Sequence, residues 1–98
     1  MSVLVVNRLR SSVPIAELAP AVQEYFPPVF DSCDGFERFY FVQVADDEAF
    51  AIIVWDTGEN ARAGADRIGP TLFREHLGPY LIEQDRRVGP AVVSHPKL

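Results

Sequence analysis

The chain predicts an α+β fold: a four-stranded antiparallel sheet with two helices on one face, in the order βαββαβ. Three observations carry this. A hairpin from Gly35 to Trp55 is apolar on both of its faces, two segments show helical apolar spacing, and the N-terminal stretch alternates and is rich in Val and Leu. In the hairpin, two strands flank the acidic turn Asp46-Asp47-Glu48. Phe36, Tyr40, Val42 and Val44 are expected to point one way and Phe39 and Phe41 the other, while Ala51, Ile53 and Trp55 oppose Phe50, Ile52 and Val54. Two helices can cover one face of such a sheet. For the other face, a second copy of the chain is the expected lid. Burying one large apolar side chain contributes ~1.5–3 kcal/mol, so a row of them left in water would forgo an amount comparable with the ~5–15 kcal/mol that holds a whole domain together.

Each element has a local reason. Ser2 to Arg10 alternates as a first strand, with Val3, Val5, Asn7 and Leu9 on one face. Ser12 followed by Val13-Pro14 resembles a helix start, because proline near the first helical position gives up an N–H that has no partner there. Ile15, Leu18, Ala19, Val22 and Phe26 then form one stripe of an amphipathic helix, which Pro27-Pro28 is expected to close or sharply bend. After the hairpin, Asp56 with Glu59 three positions on resembles a capping box for a second helix, whose buried stripe is Ala61, Ala65, Ile68 and Leu72. Gly69-Pro70 should kink this helix or split it, with a later piece from Thr71 to Leu77, and Gly78-Pro79 stops it. Tyr80 to Arg87 is ambiguous, with a helical turn as one reading. Val88 to His95 reads as the last strand, with Pro90 demanding an edge position or a bulge.

A chain of 98 residues forms a single domain over 1–98. Its net charge of −5 and the scatter of its basic residues, densest at Arg8 with Arg10 and Arg86 with Arg87, argue against a nucleic-acid partner. Met1 to Arg10 is unlike a signal peptide, and no stretch approaches the ~20 apolar residues of a membrane span. The expectation is a soluble, cytoplasmic protein with no membrane partner. Cys33 is the only cysteine, so no internal disulfide can form, and its Asp31 and Asp34 neighbours disfavour a reactive thiolate.

Asn7-Arg8-Leu9 in the first strand, Gly35-Phe36 opening the hairpin, Val54-Trp55-Asp56 closing it, and His76 late in the second helix make the chain similar to the antibiotic biosynthesis monooxygenase superfamily. The resemblance spans about Val3 to Val93. It implies a ferredoxin-like protomer whose sheet packs on that of a second copy to make a dimeric α+β barrel, a homodimer, with the ligand pocket between sheet and helices of one protomer. The superfamily contains cofactor-independent oxygenases of phenolic or quinol-type polyketides, haem-degrading enzymes and proteins of no known reaction.

The resemblance makes Asn7 a pocket-facing amide that hydrogen-bonds a substrate oxygen or a bound oxygen species. On the residues alone it is a polar side chain on an otherwise apolar face, which needs a partner of some kind. Trp55 is either a plug at the end of the core or a pocket wall. His76 is the candidate general base, since an imidazole titrates near neutral pH, although His also occurs freely near helix C-termini; His95 is expected to be exposed. The small residues Ala61, Ala63, Gly64, Ala65 and Gly69 either pack the second helix tightly on the sheet or leave a cavity, lined by Tyr25, Phe26, Tyr40 and Tyr80, for a flat aromatic molecule. Gly64, at ~1 kcal/mol against Ala in a helix interior, signals a requirement for space. The haem-degrading branch carries a bulky Trp in the second helix where this chain has Ala63-Gly64-Ala65, so haem ligation by His76 takes second place. Two His and one Cys without ligand spacing suggest no metal, and no Gly-rich phosphate loop follows a strand. The functional expectation is a cofactor-independent monooxygenase acting on a small aromatic or quinol-type molecule, with Asn7, His76 and Trp55 catalytic. The alternatives are a haem-degrading enzyme and a non-catalytic ligand-binding or structural dimer.

Overall fold

The computed structural model describes residues 1–97. β1 (Val3–Ser11) runs antiparallel to β3 (Glu48–Trp55) on one side and to β4 (Leu81–Pro90) on the other, and β2 (Phe36–Ala45) lies outside β3. The sheet order is therefore β2-β3-β1-β4. α1 (Ile15–Asp31) and α2 (Gly58–Ile68) cover one face, which is the ferredoxin-like βαββαβ arrangement the patterning implies. Val5 and Leu9 of β1, Ala49, Ala51 and Trp55 of β3, and the buried stripes of both helices form one core. Pro90 sits at the end of an edge strand, where its missing N–H breaks no ladder bond to a further strand.

Several local expectations are corrected. α1 begins at Ile15 behind Pro14 and runs through Pro20, Pro27 and Pro28 to Asp31. The carbonyls that lose donors belong to Ala16, Gln23 and Glu24, all exposed to water. Phe30, four residues beyond Phe26 and 1% exposed, is the reason to continue, because its ring meets Phe36 at 4.9 Å and Phe39 at 4.7 Å. The end is then tied down by Ser32, whose Oγ donates to the Val29 carbonyl at 2.7 Å.

Phe36 lies on the helix-covered face with Phe39 and Phe41, not with Tyr40 and Val42. Phe36 pairs with Trp55 and Arg38 with Val54, so Glu37 is an extra residue that shifts the alternation by one. The second helix is capped by Thr57, whose Oγ1 accepts from the Asn60 N–H at 3.1 Å, and Asp56 instead accepts from the Asn60 side chain at 2.8 Å. Beneath that pair the chain turns at Gly35, whose φ of 75° is the left-handed region glycine tolerates. Gly69-Pro70 does interrupt α2, as a π-helical turn from Gly69 to Phe73, and α3 (Arg74–His76) follows. The last strand begins at Leu81, not Val88, so Gln84, Arg86 and Val88 lie on the helix side of β4.

The reverse face of the sheet carries no helix. Leu4, Val6, Phe50 and Ile52 are half-buried there, and Tyr40, Val42 and Val44 are 46%, 42% and 52% exposed. Its charged end is internally matched. Arg8 donates to Glu48 and Glu83, and Arg10 to Asp47 and Glu83; the hydrogen bonds to Glu48 and Asp47 respectively hold the two guanidinium groups above their ordinary pKa. No helix among the described residues is long and apolar enough to cross a membrane.

Candidate functional site

Between sheet and α2 lies a cavity of about 110 Å³. Val5 and Asn7 of β1, Ile53 and Trp55 of β3, and Ala61, Ala65 and Ile68 of α2 form its walls, Phe73 of the π turn closes one side, and the exposed Gln84 and Arg86 of β4 stand at its open rim. Strand alternation puts Asn7 there: it is opposite Ala51 on one side and Arg86 on the other, all on the helix face.

Asn7 is 6% and Trp55 1% exposed, yet the Asn7 Oδ1 and the Trp55 Nε1 have no hydrogen-bond partner. Among the described residues these are the two buried side-chain polar atoms left unpaired. Each such omission costs ~1–3 kcal/mol. Oδ1 can accept from a ligand hydroxyl and Nε1–H can donate to a ligand oxygen, at positions four residues apart along the sheet, since Trp55 lies opposite Val3 and Asn7 opposite Ala51. The space around them is small because α2 comes close. Gly64 packs directly on the Trp55 indole, and Phe36 meets the same indole edge to face at 6.0 Å. The room that Gly64 makes is thus taken by Trp55 itself.

The other expected site residues lie elsewhere. His76 does not face the Asn7 cavity; it stacks on Tyr25 with centroids 4.5 Å apart and planes 8° from parallel, and borders a separate hollow with Glu17, Glu75 and Tyr80. The physical reason is the π turn. Its wider winding changes the facing of the residues that follow, so α3 meets α1 rather than continuing the α2 stripe over the sheet. Phe26 is core, stacked on Phe39 at 6.0 Å. Tyr40 lies on the uncovered face of the sheet, and Tyr25 and Tyr80 belong to the His76 hollow or its edge, so the expected ring of aromatics does not form. Among the described residues no three metal-ligating side chains converge.

No family model and no curated protein matches the chain. Solved structures do. SnoaB, a cofactor-independent oxygenase from Streptomyces nogalater, superposes with a TM-score of 0.81 over 98% of both chains at 19% identity. A protein of Bordetella bronchiseptica assigned to the antibiotic biosynthesis monooxygenases superposes with a TM-score of 0.79, over 94% of this chain and 98% of that one, at 13% identity. The chain has the same ferredoxin-like α+β fold as these proteins. MhuD, in a point variant with two manganese protoporphyrin IX molecules bound per active site, shares it at a TM-score of 0.72, over 94% and 96% of the chains and 14% identity.

Within this fold, the cavity can be tested against haem. A cavity of 150 Å³ holds benzene, and this one is smaller, with His76 on a different surface. As built, it does not fit haem. One functional candidate escapes a sequence reading that begins the last strand at Val88. Arg86 faces the cavity only when the alternation Gln84, Arg86, Val88 against Glu83, Asp85, Arg87 is recognised as strand.

Proposed function

We propose that this chain is a cofactor-independent monooxygenase whose cavity receives the hydroxyl-bearing edge of a phenol or quinol-type molecule. The observation that carries the reading is the pair of unpaired buried atoms, Asn7 Oδ1 and Trp55 Nε1, on one cavity. At about 110 Å³ the cavity is smaller than the roughly 150 Å³ that holds benzene, so it takes the hydroxyl-bearing edge of a ring. The remainder of a larger substrate lies in the adjoining cleft between α2 and β4, which shares Ala61, Ala65 and Arg86 with the cavity.

Asn7 orients the substrate hydroxyl by accepting its hydrogen bond. Trp55 offers its N–H to a second oxygen of the substrate, a bond that strengthens as negative charge develops there. Among the described residues Arg86 is the one titratable side chain lining the cavity, so the departing proton passes to solvent at the rim. The electron-rich anion reacts with O2 directly. For an anthrone-type substrate the two C–H bonds of the reacting CH2 break, one oxygen atom becomes the new carbonyl, and the other leaves as water with the two protons; the substrate carbon supplies all four electrons.

Under labelled O2, anthrone incubated with purified protein should give anthraquinone carrying one labelled oxygen, and a hydroquinone should give a hydroxyquinone carrying one labelled oxygen with the other released as water, at rates that Asn7→Ala and Trp55→Phe each reduce. No rate above background across the panel would overturn the reading. A shifted hemin Soret band that bleaches with ascorbate would turn attention to haem.

The active form on this reading is a homodimer in which a second copy covers Tyr40, Val42, Val44, Phe50 and Ile52 on the uncovered sheet face. Sedimentation should give twice the 10.9 kDa chain mass.

A further inference from the structure

We propose that Arg86 recognises an anionic group on the ligand, so that the natural ligand is a phenolic or quinol ring bearing a carboxylate. The proposal rests on the phenolic reading of the cavity and extends it to a substrate class. Arg86 is directly opposite Asn7 in the β1–β4 ladder, so both side chains rise from the same face. It lines the Asn7–Trp55 cavity and also the cleft of about 390 Å³ beside it. A ring whose hydroxyl reaches Asn7 thus has its outer edge beside Arg86.

Charge bookkeeping separates Arg86 from most arginines of the sheet. Arg8 and Arg10 are bound to Glu48, Asp47 and Glu83, and the adjacent Arg87 is paired with Asp85 at 3.0 Å on the opposite face. The Arg86 side chain makes no hydrogen bond or ion pair with any described residue, and among the described residues no carboxylate lines the cavity. Asp66, the acidic residue of the neighbouring cleft, shares α2 with Arg62 and does not pair with Arg86. In a chain with net charge −5, a guanidinium left uncompensated beside two unpaired buried polar atoms is built for an anion that arrives with the ligand. Its planar fork matches a carboxylate through two N–H donors.

Trp55 is the only tryptophan and lines the cavity, so its fluorescence reports occupancy directly. Two probes share a ring and hydroxyl: 4-hydroxybenzoate and the neutral 4-hydroxybenzyl alcohol. The wild-type chain should bind the carboxylate ~10- to 100-fold more tightly, the range expected for one charge-assisted contact at a partly exposed site. Arg86→Gln should erase that preference while leaving the alcohol's affinity unchanged, and Arg86→Lys should keep part of it. Thermal unfolding of each variant verifies folding, which an exposed, unpartnered residue should not disturb. Equal binding of both probes by the wild type, or a preference surviving Arg86→Gln, overturns the role of Arg86 and leaves the phenolic cavity standing. Benzoate binding as tightly as 4-hydroxybenzoate would do the reverse, retaining Arg86 and removing the hydroxyl site. Binding of none of these probes overturns both.

Discussion

Gly64 of α2 and Trp55 of β3 are packed so closely that a methyl group placed at Gly64 would overlap the six-membered ring of the indole. Trp55 is 1% exposed and has the Phe36 ring against its edge, so it has little freedom to yield. Overpacking of this kind costs ~1–3 kcal/mol, whereas Gly to Ala in a helix interior returns at most ~1 kcal/mol. Gly64→Ala should therefore destabilise the chain by about 1–2 kcal/mol in urea unfolding and alter Trp55 emission. An increase in stability would mean that the indole moves freely and that the cavity wall is not fixed.

Asn7 presents the opposite balance. Its Oδ1 is unpaired in a strand interior, so Asn7→Val removes a buried polar penalty and supplies a better strand former. Stability should rise by about 1–2 kcal/mol while turnover on quinol substrates falls at least tenfold. A chain kept marginally worse than its own simple variant indicates a residue retained for function. Should Asn7→Val destabilise by a similar amount, the amide is structural and the functional assignment fails.

How much of this was legible beforehand varies residue by residue. The position of Asn7 on the covered face follows from strict alternation in β1, a period-two pattern that any reading of Val3, Val5, Asn7 and Leu9 exposes. Phe36 was not legible, because one bulged residue at Glu37 inverts everything before it. Pro27-Pro28 signalled an end to α1, but the packing of Phe30 on Phe36 and Phe39 outweighs the lost hydrogen bonds, and such tertiary contacts leave no local mark. Gly69-Pro70 announced a break without its geometry. Whether the chain resumes over the cavity or over α1 depends on a few residues of π winding, and this decides which surface His76 reaches.

His76 carries a prediction that separates those two surfaces. Stacked on Tyr25 outside the cavity, it should contribute ~0.5–1.5 kcal/mol of packing. His76→Ala should lower stability by about 1 kcal/mol and leave quinol turnover within twofold. A general base, by contrast, contributes typically ~10²–10⁴-fold. Loss of turnover on that scale, in a variant that remains folded, would bring His76 into the reaction and relocate the site.

Val42 tests the uncovered sheet face. It stands at 42% exposure between Tyr40 and Val44 along β2 and opposite Phe50 on β3, so a protomer alone can accommodate a long polar side chain there. A homodimer built on this face disfavours it, because burying a lysine against apolar side chains of the second copy is costly. Val42→Lys should leave the folded signal of the protomer intact and shift sedimentation to a single chain mass at micromolar concentration, whereas Asp47→Asn, in the charged cluster at the hairpin turn, should leave the assembly unchanged. Persistence of the twofold mass in Val42→Lys would show that the copies associate through a different surface. The exposed Tyr40, Val42 and Val44 would then need another explanation.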